Sequence, residues 1–329
     1  MTKLKTHFFG LELKNPFVVA SSGLTRSISN IKAFAENGAS AIVLKSLFEE
    51  EVYAEYEEII KKEGNSHHYQ EHLDYFDYEI KEKNLKEYLQ LISDAKTAVE
   101  IPIVASINCI SNGDWVQFAS RIEEAGADAI ELNLFLLPSD NNRTAEDNYR
   151  FYINTVRSVI DKVNIPVSVK ISSYFSDLGC VIKDLDKIGV AGISMFNRFY
   201  TPDININNES LQAASVLSEQ NEYHLPLRWV GLMAGRLQCQ LAATTGIHNA
   251  ETAIKLLLAG ADAVQMASVF YQQGIDCLPA IIAETEKWMN EKGYESLSDF
   301  KGKLSFTKAP NPGWYERVQF MTYFGEYNA

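Results

Sequence analysis

Eight short apolar runs, each followed by a stretch with helical spacing, constrain this chain more than any other feature of its sequence. The runs are residues 17–20, 41–44, 101–107, 129–134, 167–171, 192–196, 241–244 and 263–266. Strands covered by helices on both faces read as continuous apolar runs, because neither face meets water. The helical stretches 29–37, 115–124 and 250–258 run into Gly38, Gly126 and Gly260. At those three places the phrase glycine, alanine, aspartate or serine, alanine leads into the next run: residues 38–41, 126–129 and 260–263. A near variant, Gly189-Val190-Ala191-Gly192, precedes the sixth run. Glycine supplies the left-handed helix end, and alanine lets the loop pass close beneath the strands. Ile-Pro at 101–102 and 165–166 enters two further runs in the same way, since proline is tolerated at a strand's start. Strand and helix alternating eight times specify an α/β fold of the closed (β/α)₈ type, a TIM barrel. An open doubly wound sheet would usually carry a G-x-G-x-x-G turn after its first strand, and none is present.

The whole chain, residues 1–329, is expected to form one barrel domain. Two stretches break the repeat. Residues 49–87, rich in Glu, Lys and Tyr, stand where the second strand-to-helix connection belongs and are expected to lie over the active-site face. Their three histidines, His67, His68 and His72, have no second ligand cluster nearby, so no metal site is expected. Residues 197–227, with Asp203, Asn205, Asn207 and Asn208, form a second long loop after the sixth strand on the same face.

The formal charge of −13 argues against nucleic acid or an anionic membrane surface as the main partner. No stretch approaches the ~18 apolar residues of a membrane span. Cys109, Cys180, Cys239 and Cys277 are scattered without a CxxC pair, which fits a reducing compartment, and the cytoplasm is the expected location.

In such barrels, polar residues at the C-terminal strand ends are the functional candidates. Lys45 and Ser46 end the second run, Asn108 the third, Asn133 lies late in the fourth, Lys170 late in the fifth, and Asn197 follows the sixth. Two lysines facing an apolar barrel mouth are costly unless they meet an anion or an electron-rich ligand. A flavin gives them a purpose: positive charge near its ring stabilises the reduced, anionic form, and side-chain amides orient it. The bland alternative is a lysine pair satisfied by a barrel carboxylate such as Glu131. After the seventh and eighth runs, Thr244-Thr245-Gly246-Ile247 and Ala267-Ser268 are small residues where barrels commonly hold phosphate.

The segment 11–17 followed by Ala20-Ser21-Ser22-Gly23 resembles the opening of dihydroorotate dehydrogenases. So do Lys45-Ser46, Ser106-Ile107, Glu131-Leu132-Asn133-Leu134, Val169-Lys170, Thr245-Gly246-Ile247, residues 260–268, and the tail at 292–294 and 299–303. The similarity runs in order over roughly residues 8–304. It implies an oxidoreductase of pyrimidine biosynthesis that uses flavin mononucleotide (FMN) to convert dihydroorotate to orotate, or acts on a related CH–CH substrate, and it suggests a homodimer. By position, Ala20, Ser21 and Gly23 would line the flavin with Ser46 and Asn108, and Lys45 and Lys170 would contact its ring. Asn133 would touch ring and substrate, with Lys45 and Asn197 also on the substrate, while Thr245, Gly246, Ala267 and Ser268 would hold the phosphate.

The chain departs from the family where it matters. The family's Asn-Leu-Ser-Cys-Pro-Asn, which carries the catalytic base, is here Asn133-Leu134-Phe135-Leu136-Leu137-Pro138. Leu136, or Leu137 with one residue inserted, stands in the base's place and cannot accept a proton. Ser111, Ser139, Tyr174 or a histidine of the 49–87 insert could substitute, and no general base is assigned. Arg198 stands where a small polar residue follows the substrate asparagine. Two other classes remain open from sequence: a flavin-free aldolase using Lys170 as a Schiff base, and a barrel that binds FMN without catalysis.

Overall fold

The computed structural model describes residues 4–48, 73–108, 112–199 and 201–316, with the side chains of 73–81 and 112–115 left aside. An antiparallel hairpin, β1 (Thr6–Phe8) and β2 (Leu11–Leu13), precedes the barrel. The barrel strands are β3 (Phe17–Val19), β4 (Ala41–Val43) with its continuation β5 (Leu47–Phe48), β6 (Ile103–Asn108), β7 (Ala129–Asn133), β8 (Val167–Ile171), β9 (Gly192–Met195), β12 (Gln240–Thr244) and β13 (Ala263–Met266). A second hairpin, β10 (Pro202–Asn205) with β11 (Ser210–Ala213), projects from the loop after β9. Every barrel pairing is parallel, and the ladder from β3 through β13, β12, β9, β8, β7 and β6 returns to β4, closing eight strands into a ring. The expected barrel is what forms, and the open sheet is excluded.

Around the ring lie α1 (Ile28–Glu36), α2 (Leu73–Ala98), α3 (Asn112–Glu124), α4 (Ala145–Ile160), α5 (Leu178–Ile188), α6 (His224–Met233) and α7 (Ala250–Ala259). Two more helices, α8 (Ser268–Gln273) and α9 (Cys277–Lys292), follow the last strand. Outward residues such as Ile42, Ile130, Leu132, Val169 and Ile193 join these helices in one apolar layer. Leu85, Tyr88, Ile92 and Ala95, buried at helical spacing, seat α2 on that layer. The expected insert therefore ends earlier than its sequence suggested, because residues 73–87 belong to the second barrel helix. Residues 49–72, with the three histidines, lie outside the described residues.

The third residue of the repeated phrase explains why it recurs. The N–H groups of Ser40, Asp128 and Asp262 donate to the carbonyls of Phe17, Ile103 and Leu241 at the start of the preceding strand. The two aspartates then accept in return from strand N–H groups, Asp128 from Ile103 at 2.7 Å and Asp262 from Leu241 at 2.8 Å. Each phrase thus pins a helix-to-strand turn to its neighbour.

Inside the ring, small residues Val18, Ala41, Val43, Val104, Ala129, Ala242 and Ala263 pack on Phe8, Phe9 and Leu13 from the N-terminal hairpin. That hairpin seals the lower end. Gly192 is required there, since a Cβ at this position would come within 2.7 Å of the Phe8 ring.

The second strand is interrupted between β4 and β5, which leaves Ser106 of β6 without a strand partner on that side. Tyr88 of α2 fills the gap: its hydroxyl accepts from Ser106 N–H at 2.7 Å and donates to Ser106 C=O at 3.0 Å. Tyr88→Phe orphans both backbone groups and is expected to lower the unfolding free energy by about 1–3 kcal/mol in a urea titration. A loss below about 0.5 kcal/mol would mean that water replaces the hydroxyl without penalty.

Candidate active site

Side chains alternate along each strand, so Glu131, Asn133, Lys170, Ser194, Ser106 and Gln265 follow the small apolar residues inward, one level higher. Above them the C-terminal strand ends enclose a cavity of about 580 Å³, within the range of cofactor sites. Its floor holds a buried carboxylate: Glu131 Oε2 accepts from Ser194 Oγ at 2.7 Å and from Gln265 Nε2 at 2.6 Å. Lys170 stands half-buried at the cavity's base. Burial pushes its ammonium below the ordinary lysine range, and the charge of Glu131 opposes that shift. Glu131 acts on Lys170 through charge, without a hydrogen bond or ion pair between them among the described residues, and it lines the cavity as well.

A hydroxyl chain runs beside the lysines. Ser46 Oγ lies 2.7 Å from Ser106 Oγ and 3.1 Å from Ser21 Oγ, and Asn133 Nδ2 donates to it at 3.4 Å. Asn197 Nδ2 donates to the carbonyls of Leu134 at 3.0 Å and Lys170 at 3.1 Å, which fixes the amide at the rim. At the far end Thr245 and Gly246 both have positive φ, 83° and 74°. For a threonine this costs about 1–3 kcal/mol, the kind of strain that functional turns retain. Gly246 is obligatory, because a Cβ there would lie 2.3 Å from the backbone nitrogen of Tyr223.

The cavity is lined by Ala20, Ser21, Gly23, Lys45, Ser46, Asn133, Lys170, Asn197, Thr245, Gly246, Ala267 and Ser268, all predicted from sequence. Asn108 is the exception. It ends β6 buried, paired in register with Phe48, and does not line the cavity. Its predicted contact with a cofactor therefore has no support from the cavity lining.

The loop after β7 carries the residues that align with the family's base. Phe135 lines the cavity and stacks on Phe199 with ring centroids 4.0 Å apart, and Tyr174 meets Phe199 edge-on at 5.1 Å. Leu136 packs into the apolar layer around the barrel, and Leu137 is 49% exposed. The residue facing the cavity is thus Phe135. Ser139 is exposed, Tyr174 is committed to the aromatic rim, and Ser111 lies outside the described residues.

Arg198, read from sequence only as a departure, clamps the long loop after β9. Its guanidinium donates to both carboxylate oxygens of Glu222, at 2.7 and 3.1 Å, and to the carbonyls of Ser215 and Val216. That clamp holds Leu217 and Ser218 against the cavity, a pairing across 24 residues that no local pattern announces. Among the described residues, no group of three His, Cys, Asp or Glu side chains converges to hold a metal.

With this geometry in place, comparison with known proteins decides the family. The family model for dihydroorotate dehydrogenase matches residues 3–289. The chain belongs to the dihydroorotate dehydrogenase family. It is 26% identical over 301 residues to the catalytic subunit of dihydroorotate dehydrogenase B (NAD(+)) of Methanosarcina acetivorans, covering 89% of this chain and 93% of that one. The same-named subunit of Thermoplasma volcanium is 26% identical over 321 residues, covering 92% and 98%. Dihydroorotate dehydrogenase A (fumarate) of Lactococcus lactis is 26% identical over 330 residues, covering 92% and 99%. Dihydroorotate dehydrogenases are flavin-dependent, and this chain is an oxidoreductase acting on a CH–CH group. The aldolase and non-catalytic readings are not favoured. No helix among the described residues is long and apolar enough to cross a membrane.

The cavity's own chemistry agrees with a flavin. Among the described residues, Asn133 Oδ1, Gln265 Oε1 and Glu131 Oε1 are buried acceptors without a hydrogen-bond partner. A flavin ring carries an imide N–H between two carbonyls, so it offers a donor to such acceptors and acceptors to the lysines.

The Glu131–Lys170 pair is directly testable. Lys170→Met removes the positive charge acting on the buried carboxylate and is expected to cost about 1–3 kcal/mol of unfolding free energy. Adding Glu131→Gln should recover more than half of that loss. A double variant no more stable than Lys170→Met alone would show that the two groups are not coupled.

Proposed function

We propose that this chain is an FMN-dependent oxidoreductase that takes dihydroorotate, or a closely related small ring bearing a carbonyl beside its CH–CH bond, to the unsaturated product. The residues from Ala20 to Ser268 named above would hold the cofactor and substrate in a single barrel, working as a cytoplasmic homodimer. The observation that carries this reading is what one cavity brings together. Lys45, Lys170 and the buried amide oxygens of Asn133 and Gln265 share it with the small residues of the Thr245–Gly246 and Ala267–Ser268 turns. When bound, FMN supplies a two-electron acceptor able to take a hydride from saturated carbon.

The lysines would stabilise negative charge at the floor, with Lys170 held in register by Glu131. Asn133 and Asn197 would orient the substrate's carbonyl and N–H groups, because both amides are fixed by hydrogen bonds to the barrel. Phe135, Phe196 and the Phe135–Phe199 stack would exclude water from one wall. Among the described lining residues there is no cysteine, histidine or aspartate, and the one carboxylate, Glu131, is fully buried beneath two donors. With no imidazole, thiol or free carboxylate among the described lining residues, the substrate's proton would pass to water or hydroxide entering from the open face.

Anaerobic mixing of FMN-loaded protein with dihydroorotate tests both parts. The flavin band near ~450 nm should bleach, at a rate about 10²–10⁴-fold below that expected with a positioned base and rising about tenfold per pH unit through the neutral range. A plateau in that profile would reveal a side-chain base. A yellow protein that dihydroorotate leaves unbleached would retire this substrate, and a protein that takes up no FMN would overturn the cofactor assignment. Light scattering of the same sample reports the homodimer.

A further inference from the structure

His248 has no role in the reading so far, and it does not line the cavity. It is buried, 3% exposed, just before Asn249, which caps α7 by accepting from Thr252 N–H at 2.9 Å. Its Nε2 lies 3.2 Å from Ser218 Oγ. Ser218, also 3% exposed, does line the cavity, and its Oγ accepts from Gly246 N–H at 3.2 Å. Its own N–H donates to Ser268 Oγ at 2.9 Å. One serine therefore joins the turn after β12, the turn after β13 and the loop held by Arg198, and one histidine stands directly behind it.

Resting on the FMN reading above, we propose that His248 is the positioning residue that selects the phosphorylated flavin, taking up a proton as the phosphate enters and presenting it with the Ser218 hydroxyl. The donor inventory gives the reason. A phosphate dianion offers only acceptors, whereas a serine hydroxyl has one hydrogen and two lone pairs. A protonated imidazole donates from both nitrogens. Ser218 Oγ then accepts from the ring and from Gly246 N–H, and its single hydrogen is left for a ligand in the cavity. A neutral ring that keeps its proton for the Gln272 side chain or the Ser218 backbone accepts at Nε2, takes that hydrogen instead and turns a lone pair toward the phosphate.

The surroundings hold the ring ready for that change. Burial keeps the His248 imidazole below the ordinary histidine range and so favours the neutral ring before a ligand arrives. The Ser218 backbone, the Gln272 side chain and the charge of Glu222 each favour the protonated form. Glu222 is the charged group acting on the ring among the described residues, and it is itself paired with Arg198. Gln272 and Gln273 of α8 and Ser218 complete its neighbours, with Gln273 Nε2 donating to the His248 carbonyl at 3.4 Å. A dianion one hydroxyl away adds the attraction that overcomes burial. The cationic side chains lining the cavity among the described residues are Lys45, Lys170 and Arg198. Lys170 stands on β8 and Lys45 just past β4, off the turns after β12 and β13, and Arg198 is already engaged by Glu222.

Calorimetric titration of the full chain with FMN and with riboflavin, in two buffers of different ionisation enthalpy, tests this. At a pH about one unit above the second phosphate ionisation near ~6, free FMN is already dianionic, so proton uptake on binding reports the protein. FMN should bind with net uptake of a sizeable fraction of a proton, and riboflavin with none. FMN affinity should fall as pH rises through the neutral range, by about tenfold in all. His248→Gln should abolish the uptake and weaken FMN about tenfold while leaving riboflavin affinity unchanged. Ser218→Ala should also lose the uptake, with His248 still in place. Equal proton uptake with riboflavin, or uptake that survives in His248→Gln, would overturn the role of His248 alone. FMN binding by the unaltered chain without proton uptake would do the same, whether or not the variants fold. Failure to bind either flavin would overturn the FMN reading and this inference with it.

Discussion

Closing eight strands into a ring sends alternate side chains of every strand into one narrow interior, and the rest of the structure answers that constraint. The lower half meets it with alanine and valine packed on Phe8, Phe9 and Leu13 from the N-terminal hairpin. The upper half meets it with a hydrogen-bonded polar floor, in which Glu131 draws in Ser194 and Gln265 and stands opposite the charge of Lys170. A buried carboxylate is tolerable only with donors and a counter-charge. The same arrangement leaves Lys170 at the base of the cavity, where a ligand's negative charge can be met. Stability and chemistry thus share one set of groups.

Much of this was legible because it is local. A strand covered on both faces writes itself as an apolar run, and a helix end that must turn under the barrel needs Gly38, Gly126 or Gly260. The aspartates at 128 and 262 read as part of a phrase before their bonds to Ile103 and Leu241 N–H groups gave the phrase a cause. The strand-end lysines and asparagines were legible for a similar reason, since alternation fixes which residues face inward once a strand is placed.

What stayed hidden depends on contacts between distant segments. Nothing near Ser106 announces that the second strand breaks and that Tyr88 must complete its bonding. Asn108 has the right strand position, yet it ends β6 buried beside Phe48 and outside the cavity lining. Residues 73–87 read as part of an insert, since their many lysines and glutamates give the sequence no clear helical apolar spacing. In the loop after β7, counting from Asn133 points to Leu136, whereas the turn sends Phe135 into the cavity and Leu136 into the apolar layer. The Arg198–Glu222 clamp could be suspected from an arginine beside a predicted site asparagine, but its partner is set only by the fold of the long loop.

The central claim is that the barrel's C-terminal cavity is an FMN site with its ring at the lysines and its phosphate at the turns after β12 and β13. A crystal structure of the chain grown with FMN tests it most directly. The account predicts ring density against Lys45, Lys170 and Asn133, with the phosphate against Gly246 and Ser268. A flavin bound elsewhere, one bound in the opposite sense, or a cavity empty at saturating FMN would contradict it.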